Sequence, residues 1–321
     1  MPSPNSVLTE MVTTTLRNHA REVVDNVTEN NALLRYMKKR GNIKTESGGY
    51  EIVLPLEYAE NATYQRFSGY DTLNVNASDV LSAAKFDWAQ IAIHVTASGR
   101  ELRMNNGPEA MIKLVKARIK SAMNTAENQF SIDMYGTGAL SNQIVGIGGL
   151  VTANGEGTVG GINSTTFTFW RNQFREISGT NTWSKSTIKG DMNRLWLSTV
   201  RGNDKPDLIV STHDFYSAYE ESLQDNQRYM SSDAASAGFE SLKYKSANII
   251  FDDNSNFGTT GETMYFLNTK YLYLIQHPEA QWTQDDEKKP VNQDAVVIPM
   301  YWMGALVCSN RSLQGRLIDA A

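Results

Sequence analysis

Two stretches between residues 50 and 100 alternate apolar and polar side chains with a period of two. The apolar positions are Ile52, Leu54, Leu56 and Tyr58 in the first stretch and Ile91, Ile93 and Val95 in the second. Because successive side chains of a strand point to opposite faces, this pattern predicts two half-buried strands. We expect residues 50–99 to form a long ribbon with a polar tip. A lone two-stranded ribbon is marginally stable in water, so we expect it to rest on a neighbouring molecule, as in an assembling protein.

Helical periodicity marks the segments on both sides of this loop. Residues 7–40 predict a helix in two pieces, and the second piece ends in three basic residues followed by Gly41, a typical helix stop. The longest helix is expected to begin at Pro108 and end at Gly136, with an apolar stripe that includes Ala126 and Phe130. At 1.5 Å per residue, such a helix is a rod of roughly 40 Å.

The second half of the chain mixes helix and strand patterns, so the predicted fold class is α+β. Helices are expected at residues 187–200 and 212–228, and short buried strands at 207–211 and 248–251, an order typical of a layered α/β domain. Further strands are predicted at 264–268, 271–276 and 296–308, with a charged loop at 284–294.

Composition narrows the classes of function. The chain has 321 residues, enough for roughly two domains, and a formal net charge of -5. No basic cluster stands out, which argues against a nucleic-acid binder. No apolar run reaches the roughly 20 residues needed to cross a bilayer, so no membrane association is expected. The single cysteine, Cys308, lies in an apolar run and is predicted to be a buried structural thiol.

No motif predicts catalysis, a cofactor or a metal site. The four histidines, His19, His94, His213 and His277, are far apart in sequence and lack ligand partners at metal-binding spacing. The glycine string 146–149 lacks the following helix of a nucleotide loop, and a tight turn beside a strand is the better interpretation. In the polar string 252–258, the glycine comes one residue later than a calcium-binding loop requires, so a polar turn is the better interpretation. We therefore expect a protein that is not an enzyme.

Several strings resemble the major capsid proteins of tailed bacteriophages. They are Asn31-Ala-Leu-Leu-Arg-Tyr-Met-Lys-Lys-Arg-Gly41 with its continuation to Tyr70, Ala84-Lys-Phe-Asp-Trp88, and Gly304-Ala-Leu-Val-Cys-Ser-Asn-Arg-Ser-Leu-Gln-Gly-Arg316. The resemblance covers nearly the whole chain and includes the order of the elements. It implies an α+β Hong Kong 97-type capsid fold, with an N-terminal arm, an extended β-hairpin loop, a long spine helix in a peripheral domain, and an α/β axial domain.

The resemblance also implies domain boundaries. Residues 1–45 would be the N-terminal arm and 46–100 the extended loop. Residues 101–144 and 263–304 would form the peripheral domain, and 145–262 and 305–321 the axial domain.

Two groups of residues are the expected subunit contacts. Tyr64, Arg66, Phe67 and Tyr70 lie at the hairpin tip, and aromatic residues and arginine are the usual anchors of interfaces. By the resemblance, the charged loop would lie where capsomers meet at three-fold positions, and its candidate residues are Asp285, Glu287, Lys288 and Lys289.

The function implied is self-assembly into hexamers and pentamers that form an icosahedral head around double-stranded DNA, which is enclosed without sequence-specific binding. Some family members begin with a long scaffolding segment. Here the arm begins within a few residues of Met1, so a separate scaffolding protein is expected. The resemblance also implies a portal and a decoration protein as partners. The expected location is the virion capsid, after assembly in the host cytoplasm.

Three alternatives stay open at this point. An encapsulin-like cargo shell shares the fold and would contain a cargo enzyme instead of DNA. An α/β enzyme with an unrecognised site would form a small oligomer with a ligand pocket. Another virion component, such as a tail tube, would form open helical tubes.

Overall fold

The structure, a computed structural model, describes residues 31–76, 78–104, 108–177, 184–223, 242–257, 261–284 and 288–319. Its helices are α1 (Ala32–Arg40), α2 (Gly99–Met104), α3 (Pro108–Tyr135), α4 (Ile147–Leu150), α5 (Ile188–Thr199), α6 (His213–Ser222) and α7 (Asn254–Phe257). Its strands are β1 (Ile43–Thr45), β2 (Ile52–Glu57), β3 (Leu81–Phe86), β4 (Ala89–Ser98), β5 (Thr158–Val159), β6 (Ile162–Asn163), β7 (Gln173–Ile177), β8 (Leu208–Ser211), β9 (Leu242–Tyr244), β10 (Ala247–Phe251), β11 (Thr263–Leu267), β12 (Leu272–Gln284), β13 (Ala295–Cys308) and β14 (Gly315–Asp319).

The predicted helix starts are confirmed where the structure describes them, but the helix predicted for residues 212–228 ends at Ser222. Helix α1 is capped at its start by Asn31, whose side chain accepts a hydrogen bond from the Leu34 backbone, and at its end by Gly41 with φ of 71°. Helix α3, the spine helix, spans Pro108–Tyr135, with Ala126 and Phe130 buried on its predicted stripe. The first predicted helical piece, within residues 7–30, and the part of the predicted helix beyond residue 223 lie outside the described residues.

Two sheets organise the chain. The four-stranded sheet has the order β1-β12-β13-β4, and the six-stranded sheet has the order β7-β14-β11-β8-β10-β9. Strand β11 pairs with β8 and β14 in the six-stranded sheet, although its residues fall in the segment 263–304 that was expected to join the spine helix. The change from the six-stranded to the four-stranded sheet falls between the end of β11 at Leu267 and the start of β12 at Leu272.

The hairpin differs from the prediction in its second strand. Strand β2 pairs with β3, from Ile52 opposite Phe86 to Glu57 opposite Leu81. The alternating residues 90–96 belong instead to β4, which pairs with β13 in the four-stranded sheet. The prediction was wrong because alternation identifies a half-buried strand but carries no information about its partner.

The inner face of the hairpin packs on its own chain. Ile52, Leu56, Ala84 and Phe86 are buried in the larger hydrophobic core together with residues of the spine helix and of both sheets. The expectation that the hairpin rests only on a neighbouring molecule is therefore wrong for the paired strands. It stays a prediction for the tip.

Two cores lie on opposite faces of the six-stranded sheet. In β8, Leu208 and Val210 face the larger core, whereas Ile209 faces a second core formed with α5 and α6. A strand covered on both faces carries a continuous apolar run, which explains the sequence of β8.

The glycine string 146–149 overlaps the one-turn helix α4, so the predicted tight turn beside a strand was wrong. A Cβ on Gly148 would lie 2.6 Å from the carbonyl oxygen of Tyr135, at the end of the spine helix. The glycines allow this close approach of two backbone segments, which places Ile144, Ile147, Leu150 and Val151 in the larger core.

Candidate subunit interface

The hairpin root, the end where Ile52 pairs with Phe86, is fixed by polar contacts as well as by burial. The Lys85 backbone amide donates a 3.0 Å hydrogen bond to the carbonyl oxygen of Gly160, and the Lys85 side chain lies 3.3 Å from the Glu51 carboxylate. The indole nitrogen of Trp88 donates a 3.0 Å hydrogen bond to the Gly49 carbonyl oxygen. These contacts set the direction in which the hairpin leaves the body of the subunit.

The hairpin tip, residues 58–76 and 78–80, has no regular secondary structure but is held by its own side chains. Asn61 Oδ1 accepts hydrogen bonds from the Thr63 backbone at 3.0 Å and from the Ser78 hydroxyl at 3.2 Å. Gln65 bridges the two arms of the tip, because its amide donates to Thr72 O at 3.1 Å and its oxygen accepts from the Asn74 backbone at 3.2 Å. Such a network orders the tip before any partner binds, which lowers the entropy cost of docking.

This network leaves the tip aromatics facing solvent. Tyr64, Phe67 and Tyr70 are 83%, 64% and 106% exposed. Arg66 is also exposed and forms no ion pair within the described part of the chain. The structure thus leaves all four predicted tip residues exposed, while their contact with another subunit stays a prediction.

The charged loop is described in part. Asp285 and Glu287 lie outside the described residues. Lys288 forms an isolated antiparallel bridge with Val297, in which its amide donates to Val297 O at 2.8 Å, and Lys289 is exposed beside it. Both lysines lie near the end of the four-stranded sheet where Ala295 pairs with Ser98, so they belong to a different surface from the tip.

The outer face of the hairpin carries apolar residues that the sequence analysis did not select. Val53 and Leu81 are exposed outward positions of β2 and β3, and Tyr50 before β2 and Leu73 and Val75 in the tip are exposed as well. A signal was present in the sequence, since Val53 and Pro55 occupy outward positions of β2 where a half-exposed strand normally carries polar residues. Apolar residues on both faces indicate a strand that is covered on both sides in its working state.

A groove of about 1100 Å³ lies at the hairpin root. It is lined by the end of β3, the start of β4, residues of the 137–149 and 158–161 segments, and β13. Asp87 and Trp88 lie on its hairpin side, and the half-exposed Val145 and Tyr301 add apolar surface. We call this feature the root groove.

The described residues hold no arrangement that resembles an active site. Within those ranges, no three His, Cys, Asp or Glu side chains converge on a possible metal position. His94, His213 and His277 each contact an aromatic ring, namely Tyr301, Phe251 and Trp88, in three separate places. His19 lies outside the described residues.

Cys308 is fully buried, as predicted, and burial raises the pKa of its thiol to about 12. A thiol that stays protonated and inaccessible is a poor nucleophile. In the described part of the chain, no helix is both long and apolar enough to cross a membrane.

Known proteins resemble this chain in three-dimensional structure, whereas comparisons of its sequence found no match. No family model and no curated protein matches the sequence. Among solved structures, the cyanophage A-1(L) capsid asymmetric unit matches with a TM-score of 0.68 at 15% identity, covering 96% of this chain and 98% of that chain. The chain has the Hong Kong 97-type capsid fold of tailed bacteriophages. The capsid of the native GTA particle matches with a TM-score of 0.61 at 11% identity, covering 99% of this chain and 100% of that one.

The fold is also found in an encapsulin. The holo-SrpI encapsulin complex from Synechococcus elongatus matches with a TM-score of 0.56 at 8% identity, covering 98% of this chain and 95% of that chain. The fold predicted from the resemblance is therefore confirmed. Because a fold hosts more than one function, the choice between phage capsid and cargo shell needs a different observation.

Proposed function

We propose that this chain is the major capsid protein of a tailed bacteriophage. In this proposal, copies assemble into hexamers and pentamers that close into an icosahedral head around double-stranded DNA. The observation that carries the proposal is the combination of a capsid fold along nearly the whole chain with an ordered aromatic hairpin tip that its own chain leaves uncovered.

The physical requirements of a shell agree with this arrangement. A closed shell uses one pair of different surfaces many times, so its contacts are heterologous. Obligate interfaces typically bury about 2,000 Å² or more, and a projecting hairpin with apolar outer residues supplies such area. The net charge of -5 keeps the subunit from holding DNA through release of counterions.

The finer assignments belong to the same proposal. The hairpin is the extended loop, the spine helix and four-stranded sheet form the peripheral domain, and the six-stranded sheet with α5 and α6 forms the axial domain. Lys288 and Lys289 lie in the loop proposed for contacts near three-fold positions. A separate scaffolding protein, a portal and a decoration protein are the proposed partners.

The test is expression of the full chain followed by negative-stain electron microscopy. The proposal expects closed shells of uniform diameter, built with or without a co-expressed scaffolding protein from the same phage. Small soluble oligomers under both conditions would overturn it, and open tubes would support a tail component instead.

The tip assignment has its own variant. Arg66→Glu is expected to impair assembly while leaving the circular dichroism and unfolding curve of the subunit unchanged, since Arg66 is exposed and unpaired within the described residues. Lys185→Glu is the matched control, because it makes the same charge change at an exposed site outside the hairpin. Normal shells from Arg66→Glu would refute the assignment of the tip as an interface.

A cargo-shell function is the second candidate, because the encapsulin complex shares the fold. The content of native particles separates the two. Nuclease-resistant double-stranded DNA supports the phage head, whereas one abundant enclosed enzyme without DNA supports the cargo shell.

A further inference from the structure

We propose that strand β4 is a docking edge for an extended segment of a different protein, which enters the root groove and adds a strand beside residues 90–94. The inference goes beyond the proposed function, because it names a contact of this chain with another kind of chain. Its support is the hydrogen bonding of β4, which is paired along one edge only.

Strand β4 lies at the end of the four-stranded sheet and has β13 as its neighbour on one side. The amide of Gly99 donates a 2.8 Å hydrogen bond to the carbonyl oxygen of Asp294, directly after the pair of Ser98 and Ala295. Because bonded and non-bonded pairs alternate in an antiparallel ladder, the odd-numbered residues of β4 bond to β13. The even-numbered residues therefore direct their N–H and C=O groups away from the sheet.

Two side chains cover the far half of this outward edge. The carboxylate of Glu101 accepts a 3.0 Å hydrogen bond from the amide of Ser98, and the guanidinium of Arg118 donates a 2.5 Å hydrogen bond to the carbonyl oxygen of Thr96. Both contacts agree with the outward direction of the even-numbered residues. Here the chain satisfies the edge of the strand by itself.

The near half of the edge, residues 90–94, is open. Gln90, Ala92 and His94 are exposed, and no described residue forms a hydrogen bond with their outward N–H and C=O groups. A row of unpaired backbone groups on an edge strand is a template for another strand. The ligand that matches alternating donors and acceptors at this spacing is the main chain of an extended peptide.

The root groove runs along the open half of the edge. It is lined by residues 89–92 of β4 together with residues 142–145 and 158–161. At the usual spacings of strands and sheets, a strand takes up roughly 160 Å³ per residue, so a groove of about 1100 Å³ has room for about seven residues. The groove therefore suits one extended segment and is too small for the edge of a second sheet.

The segments of this chain itself do not suit the groove. In the hairpin tip, the amides of Ser68 and Asn74 are already bonded to side chains of the tip. Residues 7–30 have the periodicity of a helix, and residues 1–16 contain no Lys or Arg to face Asp87, the exposed carboxylate of the groove. The occupant is therefore a strand-forming segment of another protein, with a basic residue beside Asp87.

Hydrogen exchange with a model peptide measures this pairing directly. The probe is acetyl-Lys-Thr-Val-Thr-Val-Thr-Lys-amide, which has the β-branched residues that strands favour, and it is added to the unassembled full chain. Exchange is expected to slow at the amides of Gln90 and His94. It should not change at Ile91 and Ile93, whose amides already face β13.

A proline substitution tests the edge without breaking the sheet. Ala92→Pro removes one outward N–H group, and proline is tolerated on the open side of an edge strand. It is expected to weaken binding of the peptide by at least about fivefold, the effect of one lost backbone hydrogen bond. Thr96→Pro is the matched control, because it makes the same change in the half of the edge that Glu101 and Arg118 cover.

Circular dichroism and urea unfolding show whether both variants fold, and the exchange measurement on the unmodified chain decides independently of them. Absence of protection at Gln90 and His94 in the unmodified chain would overturn the inference, as would equal binding of the peptide by folded Ala92→Pro. These results do not depend on shell formation. Their failure leaves the proposed function intact, and failure of the chain to form shells leaves them valid.

Native particles identify the occupant, and this part of the test rests on the proposed function. With p-benzoylphenylalanine in place of Gln90, irradiation is expected to crosslink the groove to a peptide of another protein. Ala92→Pro should abolish this crosslink, and Thr96→Pro should retain it. A crosslink to residues 58–80 or 1–30 of this chain would overturn the choice of partner, and so would particles that give no crosslink.

Discussion

The phenol of Tyr135, the last residue of the spine helix, donates a 2.7 Å hydrogen bond to Oδ2 of Asp252, which follows strand β10 of the six-stranded sheet. The same oxygen accepts a 3.0 Å hydrogen bond from the backbone amide of Ala32, the first residue of helix α1. Asp252 therefore joins three parts of the chain that are distant in sequence. Burial, aided by the charge of Asp252, raises the pKa of Tyr135 well above its ordinary value, so the phenol stays a donor at neutral pH.

Removing either partner of this hydrogen bond should destabilise the subunit. Tyr135→Phe and Asp252→Ala are each expected to lower the free energy of unfolding by about 1–3 kcal/mol, because a buried polar group loses its partner. Urea unfolding of the unassembled subunit measures the change. Asp79→Ala is the control, since Asp79 is exposed and its side chain makes no hydrogen bond or ion pair with the residues that the structure describes.

A double-mutant cycle isolates the pair. The loss of unfolding free energy in the double variant should be smaller than the sum of the losses in the two single variants, by a coupling energy of about 0.5–3 kcal/mol. Strict additivity would show that the hydrogen bond contributes nothing to stability.

The glycine at position 148 should not tolerate even one methyl group. Its Cβ would lie 2.6 Å from the Tyr135 carbonyl oxygen, and neither backbone segment can move without opening the larger core. Gly148→Ala is expected to cost at least about 1–3 kcal/mol, the usual range for overpacking.

Gly190 provides the matched control for this substitution. It lies within helix α5, and nothing is within 4 Å of the Cβ position. Gly190→Ala should stabilise the subunit by about 0.5–1 kcal/mol through helix propensity. Thermal unfolding should thus move in opposite directions for the two variants, and a common direction would refute the steric argument.

Arg311 is fully buried and held by oxygen atoms of uncharged groups. Its Nε donates to Leu150 O at 2.6 Å, and its guanidinium also donates to Trp170 O at 3.3 Å and to Asn172 Oδ1 at 2.9 Å. Burial lowers the pKa of Arg311 to about 10, which still leaves it charged at neutral pH.

Substitutions of Arg311 should follow an order set by charge and shape. Arg311→Met is expected to lower the free energy of unfolding by about 2–4 kcal/mol. The buried carbonyl groups lose their hydrogen-bond donors, and this loss is larger than the gain from no longer burying a charge. Arg311→Lys should cost more than Arg311→Met, since an ammonium keeps the buried charge but cannot reach the three separate acceptors. Urea unfolding midpoints measure both, and a milder effect of lysine would contradict this account.

The free energy of unfolding should decrease in alkaline solution, and the decrease should begin below the pH at which ordinary tyrosines are fully deprotonated. Burial raises the pKa values of Tyr219, Tyr244 and Cys308 to about 12, and it also raises those of Tyr135 and Tyr265. The unfolded chain loses these protons first, from about pH 9 for the thiol and about pH 10 for the phenols. The folded state therefore binds more protons in this window, and stability decreases as pH rises towards 12.

Each such group lowers the free energy of unfolding by up to about 1.4 kcal/mol per pH unit. Arg311 has the opposite effect, because its pKa is lower in the folded state, but it is one group against several. Unfolding midpoints at pH 8, 9, 10 and 11 give the slope. Tyr219→Phe should make the decline between pH 10 and 11 shallower than in the unmodified chain. An unchanged slope would show that Tyr219 does not contribute to the alkaline loss.

The order of the helices and strands could be predicted from the sequence, because each of them depends on interactions between residues that are close in the chain. Basic residues before Gly41 mark the end of helix α1, and Pro108 and Gly136 mark the ends of the spine helix. Period-two alternation located β2 and β4 at the correct residues. The tip residues were selected from residue type alone, and they are exposed together in the structure.

The sequence by itself thus determined the positions and types of the main helices and strands, and its resemblance to capsid proteins pointed to the fold. Only the tertiary structure decided that β2 pairs with β3, that β11 belongs to the six-stranded sheet, and that a groove opens at the hairpin root. Helix caps and alternation act between neighbours in the chain. Strand partners and buried polar contacts, such as Arg311 with Leu150 at a separation of 161 residues, depend on which distant surfaces the whole chain brings together.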